Sequence, residues 1–316
     1  MHKIPTKHLV FIILTLVFHM TGRALNVLTY NVLWELEKKP PVGCTQTGRN
    51  ICIDNVIASL RYLGAGRGDI DIMAFQEMTP PVAAAVEAAF PGFNVYTHRS
   101  GIETMYTFVR NTHVVAETIH RGDFDRARPY MVLKIDNNTI FINVHFQNRI
   151  GNPRAMNDEI DKFTAILTGL QHTTHYTAPR RIVAGDFNID FYRNPVKNQI
   201  RPTTTRTVQF GAHQFHIGDP GILTCCTPTS MITRGTEHFS RFDYVLDSQS
   251  PIVAEHTSDL FPASDHKPIK AELAATMVPA AAPARSPTPP PPAARTTPPP
   301  ADGAAPPPPP APPKSR

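Results

Sequence analysis

The sequence predicts a layered α/β sandwich, in which β-sheets pack against each other and helices cover them. The chain has 316 residues, and 41% of them are hydrophobic, so a sizeable core is available. Short apolar or β-branched runs of strand length recur along the chain, whereas only three segments have helical periodicity. A doubly wound sheet needs a helix after nearly every strand, so this pattern favours packed sheets.

The net charge of the chain comes from its two ends. The whole sequence carries +5 at pH 7, from 31 basic and 26 acidic residues. Without residues 1–24 and 277–316, the remaining 252 residues hold 24 basic and 25 acidic side chains. The body, 25–276, therefore has a net charge of −1, and its composition does not support a polyanion-binding surface that covers the whole body.

The N-terminal segment has the layout of a secretory signal peptide. Lys3 and Lys7 precede an apolar run over 9–18, and Gly22-Arg23-Ala24 supplies small residues at a cleavage position. Cleavage after Ala24 would make the protein secreted or lumenal. The apolar run is short for a membrane span, and an uncleaved segment that anchors the chain is the alternative.

A glycosylation sequon and four cysteines agree with export. Asn137-Asn138-Thr139 is an N-glycosylation acceptor in a turn between two apolar runs. Cys44 and Cys52 lie in one loop. Cys225 and Cys226 are adjacent in another, and four cysteines allow three pairings. Pairing within each loop leaves a strained vicinal bridge, so two disulfides between the loops are preferred.

The elements of the body follow in order. Helices are predicted over 55–63, over 80–90 with proline in the first turn, and over 154–170. Strands are predicted at 25–32, 71–75, 93–97, 105–109, 113–119, 131–135, 139–145, 182–184, 242–246, 251–256 and 269–273. The pattern between 186 and 242 is looser and predicts no clear element.

The end of the chain has a different composition. From Val278 onward it consists mainly of proline, alanine, serine and threonine, which cannot bury a core. Residues 277–316 are therefore predicted to be a disordered tail with polyproline character. A solvated linker, an O-glycosylated stalk and a ligand for a proline-binding module are the three interpretations of this tail.

A short stretch in the body carries the first sign of chemistry. Gly185-Asp186-Phe187-Asn188 follows the β-branched strand at 182–184, and alternation puts Asp186 and Asn188 on the same side. Carboxylate and amide oxygens suit a hard divalent cation, and an amide can also donate to a phosphate oxygen. An Asx turn after a strand is the structural alternative.

Five further motifs also stand at or near the ends of predicted strands. In chain order the series is Thr29-Tyr30-Asn31-Val32, Phe75-Gln76-Glu77-Met78, Asn143-Val144-His145-Phe146-Gln147, Gly185-Asp186-Phe187-Asn188, Phe242-Asp243-Tyr244 and Ser264-Asp265-His266-Lys267-Pro268. Over residues 25–275 this series resembles the endonuclease/exonuclease/phosphatase superfamily, which has the DNase I-like fold. The resemblance implies a four-layer α/β sandwich of two packed mixed sheets flanked by helices, and metal-dependent hydrolysis of a phosphate ester.

The resemblance also implies a metal site and a phosphate site. Glu77, with Asn31 and Asp265 close to it, matches the metal ligands of the family, and Mg²⁺, or alternatively Mn²⁺, is the implied cofactor. Asp186 and Asn188 match residues that position the nucleophilic water and bind the scissile phosphate. Independently of the family, phosphodiester hydrolysis needs neutralised phosphate charge and an activated water.

Two histidines complete the implied catalytic set. His266 matches a catalytic histidine, and Asp243 matches the carboxylate that orients it. His145 matches a second histidine of the DNase I and sphingomyelinase branches. DNase I-like enzymes pair this histidine with a glutamate; Glu103 is nearest but stands about one place out of register, which leaves the pair open. A histidine oriented by a carboxylate can move a proton near neutral pH.

One arginine resembles a phosphate contact of the DNase-like branch. Arg128 occupies the matching place, and Arg126 is the alternative if the alignment slips by two. Arginines 121, 126, 128, 149 and 154 could together form a local phosphate-binding face.

The shared site residues leave the substrate open among three hypotheses. The first is a secreted DNase I-like endonuclease, because residues 99–110 resemble DNase I, and 128–129, 242–244 and 263–266 resemble the catalytic subunit of cytolethal distending toxins. The second is a sphingomyelinase-like or phosphoinositide phosphoesterase, because His145-Phe146-Gln147 resembles that branch. The third is a non-catalytic binding protein. Nucleic acid is the expected substrate, a phospholipid head group is the alternative, and a monomer without an obligate protein partner is expected.

Overall fold

The computed structural model describes eleven stretches of the chain. They are residues 24–32, 45–46, 49–101, 103–124, 128–136, 138–147, 152–171, 180–192, 206–225, 240–258 and 264–275. The chain divides into two compact units, Met1–Val278 and Pro279–Arg316, and the described residues all belong to the first. Predictions for the signal peptide before Ala24, for Asn137, for Cys44 and Cys226, and for the tail fall outside the described residues.

The described elements agree closely with those predicted. The helices are α1 (Ile51–Tyr62), α2 (Pro80–Ala89) and α3 (Pro153–Gln171), with a 3₁₀ helix at Ala65–Arg67. The strands are β1 (Leu25–Asn31), β2 (Thr45–Gln46), β3 (Arg49–Asn50), β4 (Ile72–Gln76), β5 (Phe93–Ser100), β6 (Glu103–Arg110), β7 (Val115–Phe124), β8 (Arg128–Ile135), β9 (Thr139–His145), β10 (Arg180–Asp186), β11 (Thr207–Phe210), β12 (His213–Ile217), β13 (Asp243–Asp247), β14 (Ile252–Thr257) and β15 (Ile269–Leu273). Among the described residues, no helix combines the length and the apolar character needed to cross a membrane.

Two mixed sheets contain every described strand except β2 and β3, which pair with each other. The strand order is β14-β15-β1-β4-β6-β5 in the first sheet and β11-β12-β13-β10-β9-β8-β7 in the second. β1 pairs in parallel with β4, and β9 pairs in parallel with β10. Each sheet therefore has one parallel pair near its centre with antiparallel strands on both sides.

Helices cover the outer face of each sheet. Val56 of α1 and Val86 of α2 pack with Phe75 on the outside of the first sheet. Phe163 of α3 packs with Val144 on the outside of the second sheet. The order of layers is thus helix, sheet, sheet, helix, which confirms the predicted four-layer sandwich.

Between the sheets, the inward side chains change from apolar to polar along the strands. The apolar part includes Leu25, Val27, Ile72, Ala74, Met105, Val109, Phe141, Ile182, Ala184 and Val245. The buried polar part includes Thr29, Asn31, Gln76, Thr107, Asn143, His145, Asp186 and Asp243. Because every second residue of a strand faces the same side, each strand sequence encodes this change directly.

The β11–β12 hairpin was absent from the sequence prediction. Its strands are joined at Gly211, which has a φ of 60°, a conformation that favours glycine. Phe210 lies with its ring centroid 5.1 Å from that of Phe163 in the outer core. The strands are short, and the polar residues between their phenylalanines hide the apolar face, which explains the omission.

His113, between β6 and β7, connects the two sheets at the end opposite their polar edge. Its Nε2 lies 3.2 Å from Oδ1 of Asp71, which precedes β4. Its Nδ1 lies 2.5 Å from Oδ2 of Asp136, which follows β8. The hydrogen bond to Asp71 raises the pKa of His113, burial opposes this shift, and Asp136 adds to it.

We expect His113 to stabilise the fold most at mildly acidic pH. Because the pKa of His113 is raised by folding, its contribution is complete below the unfolded pKa of about 6.5 and is lost as pH rises through the folded pKa. The difference in free energy of unfolding between the wild type and His113→Gln should be largest near about pH 6 and smaller near about pH 9, measured by urea unfolding. Exposed His256 gives the control, His256→Gln. A His113 effect that grows with pH would contradict the expectation.

Candidate active site

Strand pairing brings the predicted site residues to one edge of the sandwich. The parallel pairs place Asn31 beside Gln76, and Asp186 beside His145. Antiparallel pairing places Asp243 opposite Asp186. The remaining members lie next to the ends of these same strands: Glu77 follows β4, Glu103 begins β6, Arg128 begins β8, Asn188 follows β10, and Asp265 and His266 precede β15.

Asp186 is the centre of the site and has no exposed surface. Its Oδ2 accepts a hydrogen bond from Nδ2 of Asn31 at 2.8 Å, which crosses from the first sheet to the second. The backbone N of Asn188 donates to Oδ1 at 2.7 Å, and its Nδ2 donates to Oδ2 at 3.2 Å. Burial raises the pKa of Asp186, while the His266 ring opposes the shift and the Asp243 carboxylate adds to it.

The backbone around this carboxylate is constrained. A Cβ atom at Gly185 would lie 1.9 Å from the carbonyl oxygen of Val144, so β9 and β10 require glycine at this register. Asn188 and Glu77 have φ angles of 49° and 52°, in the left-handed region. Such a conformation costs a non-glycine residue about 1–2 kcal/mol and is concentrated at functional sites.

His266 and Asp243 form the first histidine–carboxylate pair. Nδ1 of His266 lies 2.8 Å from Oδ2 of Asp243, and its Nε2 lies 3.8 Å from Oδ2 of Asp186. Oγ1 of Thr224 accepts hydrogen bonds from the backbone N of Phe242 and of Asp243, both at 3.0 Å, which fixes the start of β13. Burial alone would lower the pKa of His266, but the two carboxylates outweigh it and hold this pKa well above its usual value.

His145 and Glu103 form a second pair on the other side of Asp186. Nδ1 of His145 is hydrogen-bonded to Oε1 of Glu103, so the pair that the sequence left open is present. Its Nε2 lies 3.5 Å from Oδ2 of Asp186 and 3.5 Å from Oε1 of Glu77. Burial would lower the pKa of His145, but the charge of Glu103 outweighs it and the pKa is raised.

Arg128 neutralises two glutamates of the site. Its guanidinium Nη1 lies 2.7 Å from Oε2 of Glu103 and 3.0 Å from Oε1 of Glu77. Nη1 also lies 3.3 Å from Nδ1 of His145. The side chain keeps 24% of its surface exposed, so solvent and ligands can reach it. The alternative assignment, Arg126, falls outside the described residues.

The donor atoms at this edge fit a hard divalent cation. The buried carboxylates, those of Glu77, Glu103, Asp186 and Asp243, outnumber the cationic groups, which are Arg128 and the two imidazole rings. Oδ1 of Asp243 is buried and has no hydrogen-bond partner among the described residues. An oxygen-rich, acidic set of this kind is the type that Mg²⁺ and Mn²⁺ prefer.

Two groups of side chains could hold the cation. The ligand atoms of Asp186, Asp243 and His266 all lie within 4.8 Å of one another. The predicted group consists of Glu77, Asn31 and Asp265. Ser264 connects two of its members, because its Oγ donates to the carbonyl oxygen of Asn31 at 2.7 Å and to Oδ1 of Asp265 at 3.4 Å. Register places Glu77 immediately after Gln76, the partner of Asn31.

Sequence reasoning missed the residues that support the site. Thr224 carries no motif, and its role depends on a contact across the fold. Arg241 is buried, donates from Nη2 to Oε1 of Glu255 at 2.6 Å and from Nη1 to the carbonyl of Asp219, and so anchors the chain just before Asp243. The sequence shows only an arginine two residues before a site carboxylate, and the burial of that arginine is visible only in the structure.

Comparison with known proteins agrees with this geometry. The sequence profile of the Endonuclease/Exonuclease/phosphatase family matches residues 28–266. No curated protein sequence matches significantly. An endonuclease/exonuclease/phosphatase from Bacteroides vulgatus is 15% identical, over 80% of this chain and 99% of that chain, with a TM-score of 0.57. TDP2 from D. rerio, complexed with a single-strand DNA product, is 11% identical over 79% of this chain and 99% of that chain, with a TM-score of 0.53.

A third solved structure is ANGEL2, a 2',3'-cyclic phosphatase in complex with adenosine-2',3'-vanadate. It is 13% identical over 81% of this chain and 96% of that chain, with a TM-score of 0.54. At these identities the structural likenesses establish the shared fold. The profile match covers more than half of the chain, and it includes every residue placed at the site, from Asn31 to His266. The protein therefore belongs to the endonuclease/exonuclease/phosphatase family.

Proposed function

We propose that this protein is a secreted, monomeric, divalent-metal-dependent phosphodiesterase, and specifically a DNase I-like endonuclease. Membership of the family supports hydrolysis of a phosphate ester. TDP2 from D. rerio was solved with a single-strand DNA product, and ANGEL2 with an adenosine derivative. These complexes favour a nucleic acid substrate over a phospholipid head group.

The observation that carries the proposal is the pair of imidazoles that face one carboxylate. Nε2 of His145 and Nε2 of His266 lie 3.5 and 3.8 Å from the same oxygen, Oδ2 of Asp186. Each ring is held from behind at Nδ1 by its own carboxylate, Glu103 or Asp243. Two oriented proton carriers in one buried cleft meet the needs of general acid–base chemistry, and a protein that only binds has no use for both.

Each residue of the site is assigned a role in hydrolysis. We assign Glu77, Asn31 and Asp265 to the cation, which when bound would neutralise phosphate charge and lower the pKa of water. Asp186 and Asn188 position the attacking water and the phosphate, and Arg128 contributes positive charge. As the new oxygen–phosphorus bond forms, one imidazole accepts the proton of the water. As the bond to the leaving oxygen breaks, the other imidazole gives that oxygen a proton.

A sphingomyelinase-like or phosphoinositide phosphoesterase is the second candidate. It is favoured by the resemblance of His145-Phe146-Gln147 to that branch. Oε1 of Gln147 is buried and has no hydrogen-bond partner among the described residues, so it could accept a hydrogen bond from a substrate. A parallel assay of the full chain on plasmid DNA, RNA, sphingomyelin and phosphoinositides separates the candidates. Hydrolysis of DNA and of no other substrate supports the endonuclease. Preferential hydrolysis of a lipid contradicts the endonuclease and supports the second candidate.

We expect activity to require a divalent cation. Excess EDTA should abolish turnover, and Mg²⁺ or Mn²⁺ should restore it, because the acidic donor set needs a counter-charge before phosphate can bind. Glu77→Gln should raise the cation concentration needed for half-maximal activity, since it removes a charged ligand. The matched control is Glu272→Gln in β15, whose side chain is 39% exposed. Full turnover in excess EDTA would rule out this assignment.

We expect His145→Ala and His266→Ala each to lower kcat by about 10²–10⁴-fold, the usual size of lost acid–base catalysis. The value of kcat/KM should fall together with kcat while KM changes little, because the lost interaction is made in the transition state. Asp186→Asn should lose at least as much. Steady-state kinetics on the best substrate, with thermal unfolding alongside, measure these effects, and His256→Ala is the control. Wild-type turnover in either histidine variant would refute its role.

A substrate with an activated leaving group distinguishes the two histidines. A p-nitrophenyl phosphodiester releases an anion that needs no proton, so the variant that lacks the proton donor should recover much of its rate on this substrate. The variant that lacks the proton acceptor should not recover. Recovery of both variants, or of neither, would contradict the division of roles between the rings.

A further inference from the structure

A buried amide bridge crosses between the two sheets directly beneath the active site. Nε2 of Gln76 donates a hydrogen bond to Oδ1 of Asn143 at 2.8 Å. Neither residue has any exposed surface. Gln76 ends β4 of the first sheet and Asn143 lies in β9 of the second, so the bridge spans the space between the sheets.

The bridge continues into two further strands. Nδ2 of Asn143 donates to the carbonyl oxygen of Tyr106 and to Oγ1 of Thr107 in β6, both at 3.0 Å. Oγ1 of Thr29 in β1 lies 3.3 Å from Oε1 of Gln76 and donates to it. One connected network therefore joins three strands of the first sheet to one strand of the second.

Each strand in the network carries an active-site residue close to the bridge. The pairs are Gln76 with Glu77, Asn143 with His145, Thr107 with Glu103, and Thr29 with Asn31. In the last three pairs the two residues lie an even number of positions apart, so they face the same side of the strand. A shift of the bridge would therefore be transmitted to the residues of the site.

We propose that Asn143 and Gln76 are positioning residues, which fix the distance between Glu77 and the His145–Glu103 pair across the two sheets. This inference rests on the proposed function. Hydrogen bonds depend on angle as well as on distance, whereas apolar contacts have little angular preference, so an apolar pair would fill the space but hold the two strands less closely in place. Misplacement of catalytic groups by about 1 Å can cost about 10²-fold in rate.

The test uses Asn143→Leu and Gln76→Met, which keep side-chain size and remove the hydrogen bonds. Each variant should lower kcat by about 10–100-fold with little change in KM, and should weaken Mn²⁺ binding by a similar factor, as loss of supporting hydrogen bonds does elsewhere. Steady-state kinetics measure the first effect. Calorimetric titration with Mn²⁺ measures the second without any substrate.

The matched control is His113→Leu, which removes a buried polar link between the same sheets at their opposite end. It should lower stability while kcat and Mn²⁺ affinity stay within about twofold of wild type. The double variant of Asn143 and Gln76 should be hardly worse than the worse single variant, because both break one bridge. If Asn143→Leu does not fold, Gln76→Met and the milder Thr107→Val take its place.

The outcomes separate this inference from the proposed function. Wild-type kcat and Mn²⁺ affinity in folded Gln76→Met would overturn the inference, as would equal losses in His113→Leu. A wild-type protein that hydrolyses none of the phosphate esters but binds Mn²⁺ contradicts the proposed function alone, since the Mn²⁺ affinities of the variants still decide the inference. A wild-type protein that binds no Mn²⁺ contradicts both.

Discussion

The hydrogen bond from Asn31 to Asp186 joins the two sheets at the place where their reactive groups must meet. Each sheet ends its central parallel pair here, so polar strand ends from both sheets face each other across a narrow space. A buried carboxylate is costly unless hydrogen bonds satisfy it, and the amide of Asn31 from the opposite sheet meets that need. The packing of the whole sandwich therefore determines the environment of one acidic side chain.

Much of this arrangement could be predicted from the sequence, because it depends on residues that are close together along the chain. A buried strand is an apolar run, and a polar residue directly after such a run must lie at the edge of the sheet. Glu77 and Asp186 follow this rule, and so does His266, which stands close before a strand of opposite direction. The three helices were equally clear, since their apolar spacing repeats over several turns.

The remaining features depend on contacts between residues that are far apart in the sequence, and no local sequence pattern indicates such contacts. The pairing of Glu103 with His145 is set by how β6 stands against β4 and how the two sheets face each other. Asn143 resembles an ordinary polar residue in an apolar strand until the structure shows Gln76 opposite to it. The β11–β12 hairpin was not predicted for another reason. Its strands are short, and they pack on the aromatic core that they cover.

Arg128 has a consequence for how the carboxylates of the site are accommodated in the folded chain. Its guanidinium satisfies Glu77 and Glu103 without any inorganic ion, so mutual repulsion of these carboxylates does not oppose folding. Zinc fingers, by contrast, stay unfolded until their metal arrives. At Glu77 and Glu103 the chain itself thus supplies the counter-charge that two neighbouring buried carboxylates need.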